Sequence, residues 1–365
     1  MISMYPPSKA FFDVKCLFKS NPHNWKDTWK RYFEADDVFG FGSARFALLE
    51  LLSQLKTKKP DGEIILPAYT CPSVFEAVIE SGLKTVYCDL DPQNLKISFE
   101  DLKSKVNQNT VGVLLCHLYG VDDNSFEISN YCEDKNIILI EDLSLSFGEK
   151  DDYGILQGHN ADYIVFSLGF GKKISTGNGG LLVRKHGHNN RFYLELSDRL
   201  SNSFSLVLFF KLLFFHVLTH KLIFGLIMRT PFKLSEQSSP KLDLNEKTWT
   251  VFQANLSAKV LESYIKYRPE IKNENEYFFI KRFKQIPLSS FNRIPIIIND
   301  NNEKLRLISK IREAGYCASV GFEDCGRYIA NSDCQFSKEL AKKLITIPNV
   351  NYIDENKLSF LKKFI

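Results

Sequence analysis

Thr110-Val-Gly-Val-Leu-Leu-Cys116, Asn136-Ile-Ile-Leu-Ile140 and Asp162-Tyr-Ile-Val-Phe-Ser-Leu168 decide the fold. Each run is short, aliphatic and uncharged inside, which predicts strands covered on both faces. Working outward, 63–66, 84–88 and 180–184 read as further strands. Helical spacing fills 44–55, 72–81, 98–105 and 126–134 between them. Strand and helix in alternation predict an α/β fold with a mostly parallel central sheet and helices on both faces. Farther on, strand-like 294–298 and a short strand near 317–320 alternate with helical 302–314 and 336–344, a smaller α+β domain.

This reading divides the chain into a loop-rich N-terminal arm (1–39), a large domain (40–185), a long connection (186–245) and a smaller C-terminal domain (246–365), the last opening on a helical pattern over 248–279. A chain of 365 residues is long enough for two cores. Apolar content is 44% and charged content 25%, ordinary for a globular chain. A net charge of +4, from 47 basic and 43 acidic residues, argues against a nucleic-acid partner.

The eight cysteines form no CxxC pair, and several sit in apolar runs, which predicts buried, reduced thiols in a cytoplasmic protein. No His/Cys spacing suggests a metal. The start, Met1-Ile-Ser-Met-Tyr-Pro-Pro7, does not read as a signal peptide. The connection holds an almost wholly apolar segment, 204–228, interrupted by Lys211, His216, His220 and Lys221. It reads as a buried or subunit-contact helix, as a helix lying on a membrane, or as a span made costly by its charges.

Ligands of open α/β sheets sit beyond the carboxyl ends of the strands. Three polar residues fall there: Asp142, Ser167 and, just past the same strand as Ser167, Lys172. An amine, an acid and a hydroxyl together suit pyridoxal 5'-phosphate: Lys172 for the Schiff base, Asp142 for the pyridine nitrogen, Ser167 for phosphate. Lys173 is the fallback for the amine. Glu141 competes with Asp142, but strand alternation lets only one of them face a pocket. His117 ends the strand beside Asp142. Ser43 is an N-cap, and the helix start at Ala44-Arg45 is suited to phosphate. Gly177-Asn-Gly-Gly180 lets backbone approach a ligand closely.

In order and spacing these motifs resemble the DegT/DnrJ/EryC1/StrS family of pyridoxal-phosphate-dependent sugar aminotransferases, of the fold type I superfamily. Family members carry SGTxAL, P-A-[FY]-T, H-x-[YF]-G, E-D-x-A, and F-S-x-x-x-x-K followed by G-E-G-G. Here stand Ser43-Ala-Arg-Phe-Ala-Leu48, Pro67-Ala-Tyr-Thr70, His117-Leu-Tyr-Gly120, Glu141-Asp142, Phe166-Ser-Leu-Gly-Phe-Gly-Lys172 and Gly177-Asn-Gly-Gly180. The resemblance implies Lys172 as catalytic amine, with Asp142, Ser167, Ala44, Arg45, Cys71 and His117 around the cofactor. It also implies a homodimer, an amino-acid donor, usually L-glutamate, and a keto-sugar nucleotide acceptor, for cell-surface polysaccharide or related amino-sugar synthesis.

Four positions depart from the family pattern. Leu145 stands where a glutamine binds the cofactor's phenolic oxygen, Cys71 where an aromatic stacks, Arg45 for threonine and Asn178 for glutamate. Asn245 lies near the place of the asparagine that reaches the partner's phosphate. Two rivals follow: dehydratase or lyase chemistry on the same fold, and a non-catalytic member of an envelope-polysaccharide assembly.

Overall fold

The structure, a computed structural model, describes residues 14–18, 24–151, 153–185, 194–202, 206–218, 220–227, 247–267 and 293–348. Its centre is a seven-stranded sheet: β1 (Ala35–Phe41), β2 (Glu63–Pro67), β3 (Lys84–Cys88), β4 (Thr110–Cys116), β5 (Ile138–Asp142), β6 (Tyr163–Ser167) and β7 (Gly180–Lys185), in the spatial order β1-β7-β6-β5-β4-β2-β3. Neighbours from β3 through β6 pair in parallel, and β7 pairs antiparallel with both β6 and β1. This is the mostly parallel sheet expected.

Helices α1 (Trp25–Phe33), α2 (Ala44–Lys58), α3 (Pro72–Ser81), α4 (Phe99–Lys105) and α5 (Ser125–Lys135) accompany the sheet. Alternation along β6 shows how it is covered. Val165 packs with Leu48, Leu51 and Leu139 in one apolar cluster, while its neighbours Ile164 and Phe166 join Trp29, Phe33 and Leu261 in the other. Local signals set the helix ends. Ser43 caps α2, its Oγ accepting the Phe46 amide at 3.4 Å. Pro72 opens α3, and Gly82 closes it at φ 76°.

The stretch before residue 40 is more than a loop-rich arm. It holds α1 and most of β1, and Trp25, Trp29 and Phe33, one helical turn apart, bury their rings against the sheet. The two acids that open β1, Asp36 and Asp37, hide its strand pattern in the sequence.

Beyond the sheet, β8 (Leu200–Ser201) pairs with β9 (Trp249–Thr250), and α8 spans Val251–Tyr267. Of the helical pattern expected over 248–279, Trp249–Thr250 is strand instead, and 268–279, like Asn245, lie outside the described residues. The apolar segment is two helices, α6 (Leu206–Leu218) and α7 (Lys221–Ile227), and among the described residues no helix is long and apolar enough to cross a membrane. The C-terminal unit is a three-stranded antiparallel sheet, β10 (Arg293–Ile297), β12 (Leu344–Pro348) and β11 (Ser319–Val320) in that order, with helices Asn301–Glu313 and Gln335–Lys343.

Candidate active site

A cleft of about 380 Å³ opens where β2, β4, β5 and β6 end, and the start of α2 and the loop after β11 border it. All seven residues singled out in the sequence line it: Ala44, Arg45, Cys71, His117, Asp142, Ser167 and Lys172.

Asp142 closes β5, and its Oδ1 accepts the Ser144 amide at 2.8 Å. Its neighbour Glu141 turns to the other side of the sheet and is wholly buried. There Glu141 Oε2 meets His117 Nε2 at 2.7 Å and accepts the Gly158 amide at 2.8 Å. The Asp123 amide donates to His117 Nδ1 at 3.1 Å, so that nitrogen holds a lone pair and the ring proton sits on Nε2, donated to Glu141. Burial opposes a second proton, whereas Glu141, Asp122 and Asp123 favour it and lift the ring to about 9. Placing that proton on Nδ1 would cost the bond from the Asp123 amide.

Burial also lifts the Asp123 carboxyl to about 7, against the pull of His117 and the Ile97 amide. Its Oδ1 accepts that amide at 3.0 Å, and Oδ2 is buried with no hydrogen-bond partner, so little offsets the loss of water around the anion.

Ser167 ends β6, and its Oγ accepts the Gly169 amide at 3.2 Å. The turn brings Lys172 back to the cleft, its amide donating to the Gly169 carbonyl at 3.2 Å. Lys173 goes elsewhere. Its ammonium pairs with buried Glu149 and lies 6.0 Å from the centre of the Tyr264 ring.

The glycine turn 177–180 seats the start of α2. The Gly179 amide donates to the Gly42 carbonyl at 2.9 Å, and a Cβ on Gly180 would stand 2.1 Å from the Ala44 nitrogen. Only glycine lets the two backbones touch, and that contact aims the helix start at the cleft. The Arg45 guanidinium lies 3.2 Å from Glu76 on α3, so part of its charge is matched within the protein. Cys71 caps α3, its Sγ 3.1 Å from Ser73 Oγ.

Sequence reading missed the residues from the C-terminal unit. Gly321, Phe322 and Asp324, in the loop after β11, reach the cleft from about 250 positions away in the chain. Tyr69 holds them there: it accepts the Phe322 amide at 2.9 Å and lies 3.2 Å from the Tyr119 hydroxyl. The Phe322 ring stacks on Tyr119 at 16°. The one signal was a glycine between a strand and an aromatic, too common to single out. Tyr119 itself sits at φ 57°, a left-handed conformation that brings its ring to this junction.

Comparison with known proteins accords with this geometry. Residues 23–198, which build the sheet and most of the cleft, match the model of the DegT/DnrJ/EryC1/StrS aminotransferase family. GDP-perosamine synthase of Vibrio cholerae is 29% identical over 213 residues, 55% of this chain and 56% of that protein. GDP-4-keto-6-deoxy-D-mannose 3-dehydratase of Yersinia pseudotuberculosis is 27% identical over 189 residues, 47% of this chain and 46% of that protein. The chain thus spans about half the length of these curated relatives. Among solved structures, E. coli GDP-4-keto-6-deoxy-D-mannose-3-dehydratase with bound hydrated PLP superposes with a TM-score of 0.69 at 18% identity, over the full length of both chains.

Proposed function

We propose, from the premise that residues 23–198 belong to the DegT/DnrJ/EryC1/StrS aminotransferase family, that this chain is a pyridoxal-phosphate-dependent aminotransferase. It moves an amino group from an amino acid, L-glutamate, to the keto group of a nucleotide-linked sugar. The observation that carries this reading is the convergence of an amine, a carboxylate, a hydroxyl and a helix start on one cleft, from three separate parts of the chain.

Pyridoxal phosphate fits these residues. The backbone contact between Gly180 and Ala44 fixes the start of α2 at the cleft, which Ser167 also lines, and a helix start suits phosphate. Asp142 gives a carboxylate for a pyridinium nitrogen, and Lys172 an amine for the aldehyde carbon. When bound, the cofactor supplies an electron sink for cleaving a bond next to the substrate nitrogen. The chain supplies the rest. Asp142 keeps the ring nitrogen protonated through a charge-assisted hydrogen bond. Ser167 and the amides of Ala44 and Arg45 hold phosphate. Cys71 borders the ring, and His117, its side chain bonded to Glu141, supports the end of β4 behind it. Lys172, which borders the cleft, would move a proton between substrate carbon and cofactor carbon, first as base and then as acid.

A homodimer, a cytoplasmic setting and a role in cell-surface polysaccharide synthesis belong to the same proposal. Their support is the family of residues 23–198 and the sugar-nucleotide names of its relatives.

The test is spectroscopic. Protein loaded with pyridoxal phosphate is given L-glutamate, and conversion of its visible band to that of pyridoxamine phosphate supports transamination. A band that glutamate leaves unchanged counts against it. Leu145, in the cleft where the family has a glutamine, favours a second reading: dehydration of the keto-sugar. Product analysis separates the two, since transamination yields an amino sugar, whereas dehydration, with the amino donor as two-electron reductant, yields a deoxy keto-sugar and free ammonia.

A further inference from the structure

Outside the cleft, the feature that most needs a partner is the outer face of α6 and α7. Leu206, Val207, Phe210, Phe214 and Val217 recur along α6 at three- and four-residue intervals, and all are between 44% and 64% exposed. Leu222 and Leu226 continue the exposed set on α7. The opposite face of α6 is already used. Leu212 is buried in the core, and Leu208 and Phe209 pack against it. So α6, apart from Lys211 and His216, is apolar on both faces because one side meets the protein and the other is uncovered. Seven large apolar side chains in water exceed the scatter a globular surface normally shows.

We propose that α6 and α7 form a docking surface for an anionic lipid bilayer, lying in its plane. Charge decides for lipid over a second copy of the chain. No Asp or Glu occurs between Asp198 and Glu236, whereas Lys211 and Lys221 fall within the two helices and Arg229 and Lys233 follow them in sequence. A twofold contact would set this basic stretch against itself. An anionic surface matches it, and the mix of Leu, Phe and Lys suits the headgroup boundary. Helix length decides for the surface over the interior: α6 has 13 residues and α7 has 7, each too short to span. The surface adjoins the site. Leu208 and Leu212 lie within 3.4 Å of where a Gly177 Cβ would stand, and Phe215 meets Phe170 two residues before Lys172.

The experiment is flotation of the full-length protein with vesicles of phosphatidylglycerol and phosphatidylcholine, or of phosphatidylcholine alone, at low and high salt. Wild type should float with the anionic vesicles, less so at high salt, and stay down with neutral ones. Phe210→Glu/Phe214→Glu, both at exposed positions, should lose flotation while keeping the wild-type circular dichroism and sedimentation mass. Lys211→Glu, which spares the apolar face, should weaken anionic binding about tenfold and flatten its salt dependence. Failure of wild type to float overturns the proposal. So does a Phe210→Glu/Phe214→Glu variant that changes sedimentation mass and not flotation, which would make the face a subunit contact. Neither readout depends on the enzymatic assignment.

Discussion

Glu141 and Asp142 are adjacent in β5 and serve opposite sides of the sheet: Glu141 is buried against His117, while Asp142 borders the cleft. The two acids should therefore fail differently. Glu141→Ala leaves the His117 ring N–H and the Gly158 amide without an acceptor inside the protein. That should cost about 3 kcal/mol of stability. Glu141→Gln keeps an acceptor oxygen and should cost under about 1 kcal/mol. Asp142→Asn should leave the melting temperature near wild type and cut turnover at least about a hundredfold, on the scale of losing a general acid–base contribution. Thermal melts beside kcat measurements separate the two. Equal loss of turnover in Glu141→Gln would remove Asp142 from the ring-nitrogen role.

Lys172 and Lys173 are likewise neighbours with separate duties. Lys172→Ala should abolish the visible band of protein loaded with pyridoxal phosphate. Lys173→Ala should keep the band and lose stability instead, because the buried Glu149 carboxylate would then have no ammonium partner at this contact. Spectra of the two variants decide, and a normal band in Lys172→Ala would transfer the amine role elsewhere.

Asp123 makes stability depend on pH. Its carboxyl stands near 7 in the fold and near 3.8 in the unfolded chain, so the folded state holds its proton longer. Its contribution is complete below about pH 4 and is lost as pH rises through about 7. Asp123→Asn presents a similar shape without the titration. Melting temperatures from pH 4 to 8 should fall less steeply in the variant, which should be the more stable form at pH 8. Parallel pH profiles would show that Asp123 is ionised throughout.

Legibility in the sequence followed the range of the interactions. The runs around Leu114, Ile140 and Val165 are covered on both faces, so continuous apolarity alone gave their strands. Lys172, Asp142 and Ser167 were legible because strand ends in a parallel sheet converge on one edge. β1 was not, since two acids follow its first residue, and one of them, Asp37, meets a charge far along the chain, Arg184, at 3.7 Å. The break of the apolar segment into α6 and α7 was only half legible: His220 and Lys221 fall at it, but Lys211 and His216 interrupt the run inside α6 without ending the helix. Phe322 was out of reach because its place depends on Tyr69, which is decided by the packing of two units and by no local pattern.

That junction gives the last prediction. A Cβ on Gly321 would stand 2.2 Å from the Tyr69 hydroxyl and 2.7 Å from Leu344 Cδ2. Tyr69 has little room to move: it is fully buried and bonded to both Tyr119 and the Phe322 amide. Gly321→Ala must therefore push the loop off the end of β2, carrying Phe322 and Asp324 away from the cleft. The cost should be about 1–3 kcal/mol of stability, the usual penalty of overpacking. Because the loop borders the cleft and Lys172 and Asp142 stand on other elements, KM for the sugar nucleotide should rise more than kcat falls. Gly326→Ala is the control, since nothing lies within 4 Å of its added carbon. Steady-state kinetics on both variants reads the split. An unchanged KM in a destabilised Gly321→Ala would make the loop a structural clasp with no part in holding substrate.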